Sequence, residues 1–444
     1  MDRITTRLVR RFLSARTTSP FLRNRPPPSP YRFITFSTLK ASVPVSSALA
    51  AMTVIAYASA VSKPVNAADT PEEARNAPHH IKNSHGEHVK FKNPYPSAGE
   101  DATPWATFRK IVWAKLSGNF STPDGTDAKI PSVKPEFLGD RTSGNALRAT
   151  WLGHACYYVE FPSGLRVLFD PVFEDRCAPV QFMGPKRYTP PACSLDDLPA
   201  VDAVVISHSH YDHLSHTSVQ HIAKKHPEAQ FFVGLGLEKW FRASGIEKVT
   251  EMDWWQDAEL TLKKKTAAEE KAAPGEITAK ISCLPCQHSS GRTGRDYDHT
   301  LWASWAVVSG GKSVWFGGDT GYRKVPDVPK GADDYGPEYD TLPRCPQFEQ
   351  IGRLRGPFDL GLIPIGAYHP RWLFSWMHAN PYDAVEIFKD TKCKRAMGIH
   401  WGTWVLTSEE VEEPPKLLKK ALAKSGIPET GVFDVCAIGE TREF

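Results

Sequence analysis

Three histidines and an aspartate crowd into six residues at His208-Ser209-His210-Tyr211-Asp212-His213. Neutral imidazole and carboxylate are the side chains that bind borderline divalent cations such as zinc. His208 and His210 can turn toward one ion while Asp212 and His213 reach a second. One short loop then serves both ions at the roughly 3.5–4 Å separation of two-metal hydrolytic sites. A lone histidine in such a loop reads as structural; four ligands in H-x-H-x-D-H do not.

The surrounding sequence says what positions them. Ala203–Ile206 is a short apolar run suited to a buried strand, and Ser215 or His216 opens a segment with Val219, Ile222 and Ala223 at helical spacing. The loop therefore sits at the carboxyl end of a strand, just ahead of a helix. Three more candidates share that placement. The strand-like run from Ala279 delivers His288, Ser313–Phe316 delivers Gly317-Gly318-Asp319, and Arg395–Ile399 delivers His400. Taken singly, His288 and His400 read equally well as core residues; their common position at strand ends points to ligands. The glycines beside Asp319 let backbone approach the ions closely.

With 444 residues, 41% hydrophobic and 23% charged, the chain can bury a sizeable core. Its net charge of +4 is unevenly spread. Residues 1–40 hold eight Arg and one Lys against one Asp, a net +8, which leaves −4 on the rest. The folded part is not a basic nucleic-acid binder. Residues 1–40, rich in Arg and Ser with Leu8, Phe12 and Leu13 able to share one helical face, read as a mitochondrial presequence. Residues 41–62 carry no charge over about the 20 residues that span a bilayer, and read as a single transmembrane anchor. Flanking charges place the N-terminus in the matrix and the catalytic domain toward the intermembrane space, at the inner membrane. Residues 63–90 read as a polar linker, its histidines at 79, 80, 85 and 88 as solvated chain, and the domain as 91–444. Residues 263–276, charged and closed by Pro-Gly, read as a surface insertion. The eight cysteines are too dispersed for a disulfide scaffold, and the single CxxC at Cys283 and Cys286 reads as buried thiols.

The order H-x-H-x-D-H, later His, Gly-Asp and final His resembles the metallo-β-lactamase superfamily. That resemblance implies an α/β fold, the αββα sandwich, with the site along one edge of its two sheets. It also implies two zinc ions: His208, His210 and His288 on the first, Asp212, His213 and His400 on the second, and Asp319 bridging. FKNPYPS (91–97), TWLGHACYYVE (150–160), FMGPKRY (182–188), ISHSHYDHLSH (206–216), MDWW (252–255), GGDTGY (317–322), PFDLGLIPIGAYHPRW (357–372) and AMGIHWGTW (396–404) carry a narrower likeness. Together they resemble the N-acylphosphatidylethanolamine-hydrolysing phospholipase D family, in a mitochondrial, fungal-type form. His378 matches the family's non-ligand active-site histidine. Two departures touch the pocket: Ser-Ser-Gly-Arg follows His288 where an aromatic is usual, and His369 stands where animal enzymes have an acid.

The resemblance implies hydrolysis of a phosphodiester by metal-activated water, with Asp319 and His378 as catalytic residues. His369, Arg371, Trp372 and Tyr322 are then candidate substrate contacts, and His154 and Asp170 supports behind the ligands. A membrane, a phospholipid substrate and a homodimeric assembly are the implied partners. An exposed apolar rim, of which Trp372, Leu373, Phe374 and Trp376 are candidates, would favour a phospholipase over a fold-mate acting on soluble phosphoesters or lactones. A non-catalytic, zinc-stabilised membrane protein is a further alternative, which the full ligand set opposes. The chain lacks paired H-x-K-x4-D motifs, so a phosphohistidine mechanism is excluded, and it lacks a G-x-S-x-G elbow.

Overall fold

Alternate residues of neighbouring strands enter two different cores. Tyr157, Val159, Val167, Phe169, Ala203 and Val205 join one apolar cluster, whereas Cys156, Tyr158, Leu168, Val204 and Ile206 join another. A sheet apolar on both faces must be covered on both. One face packs on a second sheet, as the Phe169 and Phe316 rings show at 4.9 Å. The other is covered by the helices His216–Lys225 and Glu238–Ala243 through Val219, Ile222 and Phe241. Beyond the second sheet lie Gln347–Leu354, Pro381–Asp390 and Glu413–Lys424, which contribute Phe348, Ile351, Ile387 and Leu422. The layers are helix, sheet, sheet, helix, as expected. The computed structural model describes residues 57–99, 104–116, 120–141, 144–265, 274–329 and 332–444.

Strand directions explain why one edge of the sandwich collects the chemistry. In one sheet, Lys312–Phe316, Phe358–Pro364 and Cys393–Ile399 run parallel. Glu276–Leu284 shares their direction because Ser304–Ser309 lies antiparallel between it and Lys312–Phe316. In the other sheet, Arg166–Phe169 and Ala203–Val205 are parallel. Arg148–Gly153 matches them across the antiparallel Cys156–Glu160. The loops carrying His154, Asp170, His208–His213, His288, Asp319 and His400 thus all leave carboxyl ends of like-directed strands.

The N-terminal boundary is a correction. Tyr57–Val61 is an edge strand, antiparallel to Gln256–Lys264, and Val65–Asn66 pairs with Gln256–Asp257. Residues 80–91 form a two-stranded ribbon, His80–Lys82 with His88–Phe91. The folded domain therefore includes Tyr57 onward, and 63–90 is no linker. The end of the expected anchor 41–62, Tyr57–Val61, belongs to this sheet. Among the described residues no helix is long and apolar enough to cross a membrane. The presequence, residues 41–56 and residues 266–273 of the insertion lie outside the described residues. What is described of the insertion extends two paired strands, with Lys263 opposite Glu276. All eight cysteines are free, seven of them buried.

Candidate metal centre

Asp319 lies at the middle of the site. Its Oδ2 is 3.0 Å from His400 Nε2, 3.2 Å from His213 Nε2, 3.7 Å from His288 Nε2 and 4.0 Å from His208 Nε2. On one side, His208 Nε2 and His288 Nε2 approach His210 Nδ1 at 2.8 and 3.3 Å. On the other, His213 Nε2 and His400 Nε2 each lie 3.4 Å from Asp212 Oδ2. All seven expected ligands are thus brought together, in the two groups expected, around one carboxylate.

Their orientations are set from behind. His288 Nδ1 donates to Met377 O at 2.8 Å, and His213 Nδ1 to Asp170 Oδ2 at 2.6 Å, which leaves each Nε2 facing the centre. Asp170 also accepts from Ser207 N at 2.7 Å and from Ser207 Oγ, and that hydroxyl lies 2.9 Å from His208 Nδ1. His154 Nε2 holds Asp212 Oδ2 at 3.1 Å. Both supports expected from the sequence are in place. Backing groups of this kind fix the tautomer and ring orientation of metal-binding histidines. The backbone is bent to suit. His154, Asp170 and His400 have φ of 52°, 38° and 63°, which costs a non-glycine residue on the order of 1–3 kcal/mol. Gly318 has φ of 57°, and a Cβ there would sit 2.5 Å from Ser207 Cβ.

The electrostatics fit a pair of cations. Burial alone would raise Asp212 and Asp319, but the neighbouring imidazoles outweigh it, and both carboxyls sit well below their usual range. Burial lowers His213 and His400, yet the two carboxylates overcome it, lifting His213 well above normal and His400 to about 9. Burial and neighbouring histidines keep His208 and His288 well below theirs. Two carboxylates facing a ring of imidazoles thus form a site whose negative charge divalent ions would offset. His213 Nε2, both ring nitrogens of His400, and Asp319 Oδ1 are buried without a hydrogen-bond partner among the described residues. Their clustering around two carboxylates is what a bound ion would satisfy. The donor set fits divalent metal.

His378 stands over this centre. Its Nδ1 is 3.8 Å from Asp319 Oδ2 and unpartnered, and its ring stacks on His400 at 5.3 Å. The candidate substrate contacts fare differently. Tyr322 is buried and donates to Asp390 Oδ2 at 2.8 Å, which corrects its reading as a substrate contact. Arg371 is corrected likewise: Nε donates to Asp334 at 2.8 Å and Nη2 to Asp383 at 2.6 Å, an internal ion-pair network. His369 is exposed, with Nδ1 at 2.9 Å from Ser408 Oγ. Leu373, Phe374 and Trp376 are buried and so form no exposed rim, while Trp372 is half-buried. Trp372 packs with Leu373 and Phe374 near the helix Pro104–Leu116. That helix is tied to this segment by Trp376 Nε1 donating to Thr107 Oγ1 at 3.2 Å. It presents Trp113 and Leu116, 70% and 81% exposed, beside a groove of about 650 Å³ lined also by Arg109, Lys110 and Trp372.

Three residues that sequence reasoning left without a role also matter here. Ser207 bridges Asp170 and His208, as above; its place one residue before the first ligand was the available signal. Asn93 pairs with the backbone of His288, Nδ2 to its O at 2.7 Å and Oδ1 from its N at 3.2 Å. Arg292 donates to Ser209 O and Leu214 O at 2.9 and 2.7 Å and lies 4.0 Å over the Tyr211 ring, bracing the ligand loop. Its signal was the departure after His288.

Comparison with known proteins agrees with this geometry. The β-lactamase superfamily domain matches residues 165–401. An N-acyl-phosphatidylethanolamine-hydrolyzing phospholipase D of Caenorhabditis elegans is 39% identical over 363 residues, covering 80% of this chain and 92% of that protein. The chain belongs to this phospholipase D family. An uncharacterised Mycobacterium tuberculosis protein is 36% identical over 70% of this chain and 73% of its own length. The mitochondrial N-acyl-phosphatidylethanolamine-hydrolyzing phospholipase D of Saccharomyces cerevisiae is 32% identical over 66% of this chain and 55% of its own length. The chain is, with its family, a metal-dependent hydrolase.

Proposed function

We propose that the chain hydrolyses N-acyl-phosphatidylethanolamine to an N-acylethanolamine and phosphatidic acid at a centre of two zinc ions. His208, His210 and His288 would hold one ion, Asp212, His213 and His400 the other, and Asp319 would stand between them. The observation that carries this reading is the Asp319 carboxylate, ringed by four imidazole nitrogens at 3.0–4.0 Å in a chain 39% identical to the worm enzyme. When bound, such ions acidify water and offset charge on phosphoryl oxygens.

The protein's own groups then do the rest. Met377 O, Asp170 and His154 keep His288, His213 and Asp212 aimed, so little reorganisation is needed as charge develops. His378, with Nδ1 free toward the centre, would hydrogen-bond a phosphoryl oxygen or the departing alcohol oxygen. The groove under Trp113, Leu116 and Trp372 would take lipid chains, with Arg109 and Lys110 beside the phosphates of a membrane surface. The basic first forty residues, together with the mitochondrial yeast relative, support a mitochondrial address. The charges flanking the uncharged stretch after residue 40 favour a catalytic domain at the inner membrane facing the intermembrane space, and the family resemblance favours a homodimer.

The test offers the purified full chain N-acylated and plain phosphatidylethanolamine in detergent micelles. Release of N-acylethanolamine, abolished by chelation, is expected. Two bound ions without lipid turnover would overturn the substrate and leave a hydrolase of soluble phosphoesters or lactones.

A further inference from the structure

We propose a third divalent-cation site, remote from the catalytic centre, formed by His79, His80 and Asp253 at the root of the N-terminal ribbon. One donor atom from each of the three residues lies within 4.8 Å of the others. His79 Nε2 is 2.7 Å from Asp253 Oδ1, and His80 Nε2 is 2.9 Å from Asp253 Oδ2. Two imidazoles and a carboxylate form a ligand set suited to zinc-class ions.

The cluster is preorganised by packing. His79 is buried and stacks on Trp254 at 4.2 Å and 23°. His80 lies 5.1 Å from the Phe91 ring, and His88 lies 4.2 Å from the same ring. The His80 and His88 rings are 4.8 Å apart, with His88 on the exposed side of the cluster. Trp254 N donates to Asp253 Oδ1 at 2.8 Å and fixes the carboxylate. Burial lowers the proton affinity of His79, which favours the neutral imidazole that a cation needs. Binding would replace these two hydrogen bonds: each imidazole would carry its one proton on Nδ1 and turn the Nε2 lone pair to the ion, with no redox change.

The site would staple a segment that seats a catalytic ligand. Lys92 N donates to His79 O at 2.9 Å, and Asn93, the next residue, holds the backbone of His288 on both sides. Filling the third site would therefore stiffen the support of His288. The plainer alternative is a pair of histidine–carboxylate hydrogen bonds that closes the ribbon unaided. It predicts no third ion.

Equilibrium dialysis of the full chain against zinc chloride, with elemental analysis, separates the two. Three zinc ions per chain are expected, falling to two in Asp253→Asn and in His80→Gln. The glutamine amide can still hydrogen-bond Asp253, so His80→Gln should fold, which circular dichroism checks. Only two ions in the unaltered chain would overturn the proposal, as would three in a folded His80→Gln variant. Failure here would leave the catalytic pair at Asp319 untouched.

Discussion

The catalytic edge and the N-terminal segment are both held by residues distant in sequence, yet only one of them announces itself. At the edge, each ligand follows its own apolar strand, so a local pattern marks its position and the sheet brings the positions together. The segment 57–95 has no such local mark. Its first strand reads Tyr-Ala-Ser-Ala-Val, with only Tyr57 fully buried, and its partner is Gln256–Lys264, some two hundred residues on. Tyr57 is held by a hydrogen bond to Pro274 O at 2.8 Å and by Arg141 over its ring at 4.7 Å. Pairing, rather than composition, makes that segment part of the domain. A strand can be structural without being apolar if its neighbours supply the burial.

That contrast can be broken from either end. The largest effect is expected at Asp319. Asp319→Asn should lower turnover by more than about 10³-fold, because the group acts as part of a unit. Near-ultraviolet circular dichroism should stay unchanged; retained activity would detach the edge from the chemistry. One layer back, Asp170→Asn should weaken metal binding by about 10–100-fold in a chelator competition, with the fold intact. Unchanged affinity would mean that His213 is oriented without its partner.

At the other end, deleting residues through Ser62 should lower the melting temperature and promote association, since it bares the edge of Gln256–Lys264. Turnover per folded molecule should hold. An unchanged melting temperature would return that strand to the status of a tail. The smallest effect belongs to the exposed helix. Trp113→Asp with Leu116→Asp should change stability by no more than about 0.5 kcal/mol per site, as at other exposed positions. It should nonetheless reduce turnover on vesicles more than on short-chain substrate in solution. Equal loss on both would mean the groove is not a lipid contact.

The sequence was legible wherever function sits at a strand terminus. His208–His213, His288, Asp319 and His400 were readable because apolar runs precede them, whereas the αββα architecture was legible only through the family resemblance that their order carries. Asp170, at the strand end Leu-Phe-Asp-Pro, was readable in the same way, and His154 came with the resemblance. Tyr322 and Arg371 were misread because motif position says nothing of the direction a side chain takes. Asp390, Asp334 and Asp383, which claim them, lie outside the motifs that contain them. The histidines at 79 and 80 were misread because their partner, Asp253, lies far along the chain.

The most direct test of the two-ion centre is anomalous diffraction at the zinc edge from crystals of the full chain. Two peaks should flank Asp319, each about 2.0–2.2 Å from its ligand atoms. One would lie among His208, His210 and His288, the other among Asp212, His213 and His400. A single peak there, or none, would contradict the account.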